Sequence, residues 1–387
     1  MTDADRIRAA RPAVDAIARR TPVLTSRALT ERLGVPAVLK AENLQRTGSF
    51  KVRGAAAKLA ALGDGCAPGV VCASAGNHGQ GVASAARAKG VACDVFVPQD
   101  APIAKADAIA AQGATVHRGG AGLAECLVTA ISFAHERGLA FVHPYDDPDV
   151  VAGQGSLGLE LVEDVPDLGK VVIPVGGGGL ASGTAIALKD ADPRIEVVGV
   201  RAAAALDGLT IADGIAVKHP GAVTQPLLDR YLDDLVTVEE DDIAEAMYLC
   251  LERAKLVVEG AGAVAVAALI AGVTAPARSG RTVAVLSGGN VDAGLLAAVA
   301  RRHESVAGRR LVLLTRIADR PGGLARLLEC VATTGANLVD VSHVREGVEL
   351  HVRETAVELV LETRGREHAD AVLGTLGGAG YTADVIS

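Results

Sequence analysis

The sequence predicts an α/β protein with two open, mainly parallel sheets flanked by helices, followed by a small separate α+β domain. Three observations carry that expectation. Short strands rich in Val, Ala and Ile alternate with helical stretches over most of the first 300 residues, the order that gives right-handed crossovers and parallel pairing. Half of the 387 residues are hydrophobic but only 2% are aromatic, so the core is built from Ala, Val, Leu and Ile with glycine at close contacts, a composition suited to buried parallel strands. Past Arg309 the order becomes βαββαβ, the ferredoxin-like unit.

The chain opens with an amphipathic helix from Thr2 to Arg19, interrupted at Pro12, then Thr21-Pro22-Val23, a short helix near Ser26 to Leu33 and the strand Ala37 to Lys40. A polar, turn-rich stretch from Glu42 to Gly48 delivers it to Phe50 and Lys51, where a helix runs on to Leu62. Strands follow at Val70–Ala73, Cys93–Val97, Ala114–His117 and Ala140–His143, with helices at Gly79–Lys89, Ala101–Gln112 and about Gly122–Arg137. A second alternating block holds a helix at Ser156–Val162, strand Lys170–Val175, helix Leu180–Asp190, strand Glu196–Val200, helices Asp241–Ala254 and Gly260–Ala271, and strand Thr282–Leu286. The last block reads as strand Leu311–Thr315, helix Pro321–Thr334, a hairpin of Asn337–Val344 and Thr355–Glu362, helix Glu367–Leu376 and strand Tyr381–Ile386. The domains expected are 1–308, with a smaller subdomain of about 42–146 inserted in a larger one, and 309–387. A cleft between the two parallel sheets is the default site.

Composition excludes several classes. The net charge is -8 with both signs interspersed, which speaks against nucleic acid as a partner. The six cysteines form no CxxC pair and no cluster with histidine, so they read as reduced core residues of a cytoplasmic protein. No apolar run follows the charged N-terminus, against a signal peptide, and Gly260–Ala277 reads as a buried helix rather than a membrane span.

Four stretches carry chemistry. Lys51 stands beside Phe50 ahead of an apolar helix. It reads as a solvated surface cation on its own, and as a Schiff-base nucleophile if burial lowers its pKa. Gly176-Gly177-Gly178-Gly179-Leu180 follows an apolar strand and opens a helix, so consecutive backbone N–H groups and the helix dipole can converge on a phosphate. Its spacing is not that of the dinucleotide fingerprint. Ser74-Ala75-Gly76-Asn77-His78-Gly79 is the equivalent turn of the first sheet. It serves either as a plain helix cap or as an amide loop for a carboxylate, with Asn77 donating to an oxygen. Ser287-Gly288-Gly289-Asn290 ends the last strand of the second sheet, where Ser287 caps the next helix or offers a neutral hydrogen bond to a ring nitrogen.

Together these are the contacts that pyridoxal phosphate needs. The stretches GSFKVRGA, SAGNHGQG, PVGGGGLASG, VEGAGA and LSGGN, in that order, resemble the threonine dehydratases (threonine ammonia-lyases) of the tryptophan-synthase-β-like, fold type II pyridoxal-phosphate family, over residues 5 to 300. The resemblance implies that Lys51 holds the cofactor, with Phe50 packed beside it. It further implies that Asn77 contacts the cofactor 3'-oxygen, that Gly176, Gly177, Gly178, Gly179 and Leu180 hold the phosphate, and that Ser287 faces the ring nitrogen. Ser74, Ala75, Gly76, Asn77 and His78 would receive the substrate carboxylate.

The activity so implied is conversion of L-threonine to 2-oxobutanoate and ammonia, and of L-serine to pyruvate, with Lys51 removing the Cα proton. Preference for serine or another small hydroxy-amino acid is the alternative within the class, and a catalytically silent amino-acid sensor the alternative outside it. In the serine racemase branch the position of Ala75 is a serine that acts as an acid/base on the opposite face, so elimination with little racemisation is expected here. Arg201 follows the strand at which related chains with a divalent-cation site carry an acidic ligand, and the connection from Val200 to Thr210 is short; no metal of that kind is expected. The C-terminal stretch resembles an ACT domain, which implies an amino-acid effector site at Asp319, Gly322, Gly323, Leu324 and Asn337, or a domain for dimerisation alone, and a homo-oligomer, dimer or tetramer.

Overall fold

The computed structural model describes residues 2–206, 210–217, 219–346 and 350–386. They form two compact units, Met1–Val291 and Asp292–Ser387.

In the first unit, α1 (Asp3–Ile17), β1 (Val23–Thr25), α2 (Arg27–Leu33) and β2 (Ala37–Ala41) lead to α3 (Lys51–Leu62). There follow β3 (Val70–Ala73), α4 (Asn77–Lys89), β4 (Cys93–Val97), α5 (Ile103–Ala110), β5 (Thr115–Arg118), α6 (Leu123–Arg137) and β6 (Ala140–Phe141). The chain continues through α7 (Pro148–Asp164), β7 (Leu168–Pro174), α8 (Gly179–Ala191), β8 (Glu196–Ala202), α9 (Thr224–Tyr231), β9 (Asp234–Val238), α10 (Glu240–Leu249), α11 (Gly260–Ile270) and β10 (Arg281–Leu286). Two sheets result. One has the order β5-β4-β3-β6 and is wholly parallel. The other has the order β1-β2-β10-β7-β8-β9 and is parallel apart from β1, which pairs antiparallel with β2. The smaller sheet is thus built from chain that lies between β2 and β7, and the carboxyl ends of β3, β7 and β10 deliver the loops of interest.

Burial explains the aliphatic composition. Val38, Val171, Ile173, Val283 and Val285 of the larger sheet pack on Leu157, Leu161, Leu180 and Leu188 from α7 and α8. Val70, Cys72, Val82, Val95, Val97 and Ile109 form the core of the smaller one. All six cysteines are free, and Cys330 alone of them is not fully buried.

Three expectations shift. Pro12 does not interrupt α1, which runs through it. Pro12 faces solvent, so the carbonyl that loses its helical donor is left toward water. The helix expected at Ser156–Val162 begins at Pro148, because Asp147 accepts from the amides of Asp149 and Val150 and Pro148 fits the first turn. Its glycines hide it from propensity rules yet allow contact: a Cβ on Gly153 would stand 2.5 Å from the Arg53 carbonyl oxygen. The segment expected as one helix from Asp241 to Ala254 is α10 followed by a π-turn, Cys250–Ala254, which ends at Lys255 with φ of 60°.

Buried charge fixes the base of α3. Arg53 donates to Glu42 at 2.8 Å and to Glu160 at 2.7 Å, while Lys40 donates to Glu160 at 2.6 Å, with all four side chains at most 1% exposed. Two cations face two carboxylates, so the cluster is neutral and its members are satisfied, the condition under which buried ions are tolerated. Desolvation raises the pKa of the Glu42 carboxyl, but the Arg53 guanidinium, the Thr21 hydroxyl and Lys40 together outweigh it and hold the group below the usual range.

In the second unit, α12 (Ala293–Val306), absent from the expectation, precedes β11 (Arg310–Ala318), α13 (Gly323–Thr333), β12 (Asn337–Val344), β13 (Glu354–Glu362), α14 (Arg366–Gly378) and β14 (Ala383–Val385). The sheet is antiparallel with the order β12-β13-β11-β14. Leu313, Leu327, Val331, Val357, Leu359, Val372 and Leu376 fill the space between it and its helices.

Candidate active site

One cavity of about 290 Å³ in the first unit is lined by Phe50, Lys51, Ser74, Ala75, Gly76, Asn77, His78, Gly176, Gly177, Gly178, Gly179, Leu180 and Ser287. These residues come from far apart in the chain, and each reaches the cavity from a strand end or a helix start. The loop before Lys51 is laced to the end of β10: the Phe50 amide donates to Ser287 O at 3.1 Å and the Gly289 amide to Gly48 O at 2.9 Å. That pairing sets Lys51 and Ser287 against the same space.

Lys51 Nζ donates to Pro144 O at 2.9 Å and lies 5.2 Å from the centre of the Phe50 ring. Desolvation lowers its pKa to about 8, opposed by the carboxylate of Glu259. Such an amine is a base and a nucleophile near neutrality. The Ser74 hydroxyl accepts from the Gly76 amide at 3.1 Å, shaping the turn. His78 pairs through Nε2 with Val142 O at 2.9 Å, and burial, with Lys51 nearby, pushes its pKa down to about 3. The imidazole is therefore neutral, and a carboxylate at this loop is left to the backbone amides and the dipole of α4.

The glycine loop opens α8 with no side-chain cap, and Gly178 has φ of 92°. A Cβ at Gly177 would stand 2.2 Å from the Tyr145 ring, so only glycine fits. Thr224 Oγ1 donates to Gly177 O at 2.6 Å, and Asp146 accepts from the amides of Val223 and Thr224 at 2.8 and 3.2 Å, holding the loop from behind. An uncapped helix start beneath glycines is a cradle for a phosphate. One further polar group suits a heterocycle: Ser287 Oγ lines the cavity and makes only a long 3.4 Å bond to Ala261 O. The residues present fit pyridoxal phosphate.

Residues 14–288 match the sequence profile described as pyridoxal-phosphate dependent enzyme. The chain belongs to this family. It is 43% identical over 384 residues to an L-threonine ammonia-lyase of Geobacter sulfurreducens, covering 95% of each chain. To an L-threonine ammonia-lyase of Thermotoga maritima it is 40% identical, covering 100% of each. Among solved structures, a threonine deaminase from tomato, Solanum lycopersicum, superposes with a TM-score of 0.72 at 32% identity, covering 76% of this chain and 92% of that one. A maize serine racemase gives 0.71 at 31% identity, covering 78% and 98%. The fold is the α/β, type II fold of pyridoxal-phosphate enzymes, with one mixed and one parallel sheet.

Several lining residues carry no assignment from sequence: Glu259, Asn290, Pro144, Tyr145 and Gln154. Glu259 has a legible signal, a lone carboxylate directly ahead of an apolar helix, which is the place of a cap. Burial and the nearby Asp213 raise its pKa to about 7 against the hydrogen bond from Asn77. Lys105 and Asp213, paired at 2.8 Å, also line the cavity. Arg201 donates to Val217 O at 3.0 Å, tying the lining segment 213–217 to β8. Part of the connection from Val200 to Thr210 lies outside the described residues.

In the second unit Asp319 pairs with Arg345 at 2.9 Å, and Gly322, with φ of 81°, caps α13. Leu324 packs on the core. Asn337 donates to Glu362 at 2.8 Å and lies in register with Glu362 and hence Arg310, at the opposite end of the sheet from Asp319. Within one copy, then, Asn337 is not brought together with the other four residues.

Proposed function

We propose that this protein is a pyridoxal-phosphate-dependent L-threonine ammonia-lyase that forms 2-oxobutanoate and ammonia, and pyruvate from L-serine. The observation that carries the reading is the half-buried Lys51, whose amine desolvation lowers to a pKa near 8, in one cavity with a glycine cradle at the start of α8. Identity of 40 to 43% to enzymes of that name over nearly the whole chain supports it.

When bound, pyridoxal phosphate supplies a carbonyl that condenses with amines and a conjugated ring that delocalises the electron pair left at Cα. The amides of Gly176–Gly179 and Leu180 would hold its phosphate, Phe50 would pack on it, and Asn77 would donate to its ring oxygen. Ser287 would offer the ring nitrogen a neutral hydroxyl rather than a carboxylate, a partner that leaves the ring a weaker electron sink. Lys51 would hold the group through Nζ, and the same amine, when free and neutral, would take the Cα proton. The loop from Ser74 to His78 receives the substrate carboxylate. Ala75 has no proton to give, so nothing at that position returns a proton to the other face.

The second unit is, in this proposal, an ACT-like, ferredoxin-like regulatory domain in a homo-oligomer. Its sheet order and βαββαβ succession support that, as does the open edge of β12, where Leu338 and Val339 are exposed. Because Asn337 and Asp319 stand at opposite ends of one sheet, an effector touching both would bridge two copies.

A panel of small hydroxy-amino acids, assayed for keto acid and for D-serine, with and without branched-chain amino acids, tests the reading. Keto acid from threonine and serine with little D-serine is expected. Absence of keto acid from every substrate would leave the sensor reading.

A further inference from the structure

We infer that Asn290 is a positioning residue which, with Glu259, fixes which end of the Asn77 amide faces the cofactor. The inference rests on the reading of Asn77 as the donor to the cofactor ring oxygen. Asn290 Nδ2 donates to Thr47 O at 2.8 Å and to Asn77 Oδ1 at 2.7 Å, and Asn77 Nδ2 donates to Glu259 Oε1 at 2.7 Å. All three side chains line or adjoin the cavity.

The direction of this chain follows from its ends. A main-chain carbonyl can only accept, so the nitrogen of the Asn290 amide must face Thr47. That same nitrogen meets Asn77, which must present its oxygen. The Asn77 nitrogen then points to the Glu259 carboxylate with one N–H, leaving the second N–H as the only hydrogen of its side-chain amide free for a ligand in the cavity. Flipping the Asn77 amide would set nitrogen against nitrogen at Asn290, where the Thr47 carbonyl fixes the donor, and, when Glu259 is ionised, oxygen against carboxylate as well, exchanging hydrogen bonds for repulsions.

Asn290 is itself held by close contact with the loop that leads to Lys51. Gly48 has φ of 72°, and a Cβ there would lie 2.4 Å from Asn290 Oδ1. The bridge between Ser49 and Gly288 closes the same loop. The segment that delivers Lys51 and the segment that orients Asn77 are therefore one assembly. A donor fixed on a ring oxygen stabilises its deprotonated form.

The test is a double-mutant cycle on the cofactor-loaded protein, reading the dissociation constant for pyridoxal phosphate and the pH midpoint of its near-visible absorbance band. Asn290→Ala and Asn77→Ala should each weaken binding about tenfold and raise the midpoint by about one pH unit. The double variant should be no worse than Asn77→Ala alone, because Asn290 acts through Asn77. Additive losses of about a hundredfold, or a band unmoved in Asn290→Ala, overturn the inference. If Asn290→Ala does not fold, Asn290→Leu, of similar shape and without a donor, takes its place in the same cycle. Should the parent protein show no band that Lys51→Ala removes, the cofactor reading fails instead, a result distinct from either.

Discussion

Lys51 is tied by a hydrogen bond of 2.9 Å from its amine to the main-chain oxygen of Pro144, just beyond the end of β6. The residue that opens α3 is thereby aimed at the carboxyl edge of the smaller sheet, and its charge is met by a carbonyl dipole. Desolvation dominates, which is why the amine sits near 8 rather than 10.5.

This gives a pH dependence. If the neutral amine takes the Cα proton, kcat rises with pH through a midpoint near 8. The Glu259 carboxylate holds that midpoint up, so Glu259→Gln moves it to lower pH. Steady-state rates on threonine from pH 6 to about 9.5 measure both.

Glu259 also affects stability. Its folded pKa of about 7 exceeds the ordinary 4.5, so the folded state binds more protons between those values. The carboxyl's favourable contribution is full below about 4.5 and is lost as pH rises through about 7. Glu259→Gln has no charge to bury, and should be the more stable protein at pH 8 by about 3 kcal/mol. The advantage should shrink towards zero by pH 4. Urea unfolding of the cofactor-free protein at the two pH values checks this.

Arg53→Met removes the cation between Glu42 and Glu160 and leaves two carboxylates buried with Lys40 alone. A loss of about 3 to 5 kcal/mol in unfolding free energy is expected, with the same chemical denaturation as the readout.

Gly177→Ala places a methyl against the Tyr145 ring, at the floor of the phosphate cradle. Cofactor affinity should fall tenfold or more while the circular dichroism spectrum stays that of the parent. Titration of the cofactor-free variant with pyridoxal phosphate measures it.

The strands that end at the cavity were legible because they are short, β-branched and bounded by glycine or polar turns: Val70–Ala73 and Cys93–Val97 are read to the residue. The start of α7 was not, since Gly153, Gly155 and Gly158 argue against a helix until their tight contacts with α3, α1 and α8 are visible. β9 and α12 escaped for another reason. β9 is a mostly exposed edge strand, and α12 buries little beyond Val299, so neither carries a strong apolar period. In the site, Lys51, Asn77 and the glycine loop were readable as local motifs. The parts played by Glu259 and Asn290 are not local, because what they do depends on hydrogen bonds to Asn77 across 182 and 213 residues of chain.

The most direct measurement is reduction of the pyridoxal-phosphate-loaded protein with borohydride, followed by digestion and mass mapping. The cofactor's mass is predicted on the peptide that contains Lys51, and on no peptide of Lys51→Ala. A label on another lysine, or none while keto acid is still formed, would contradict the assignment of Lys51 as the anchor and base.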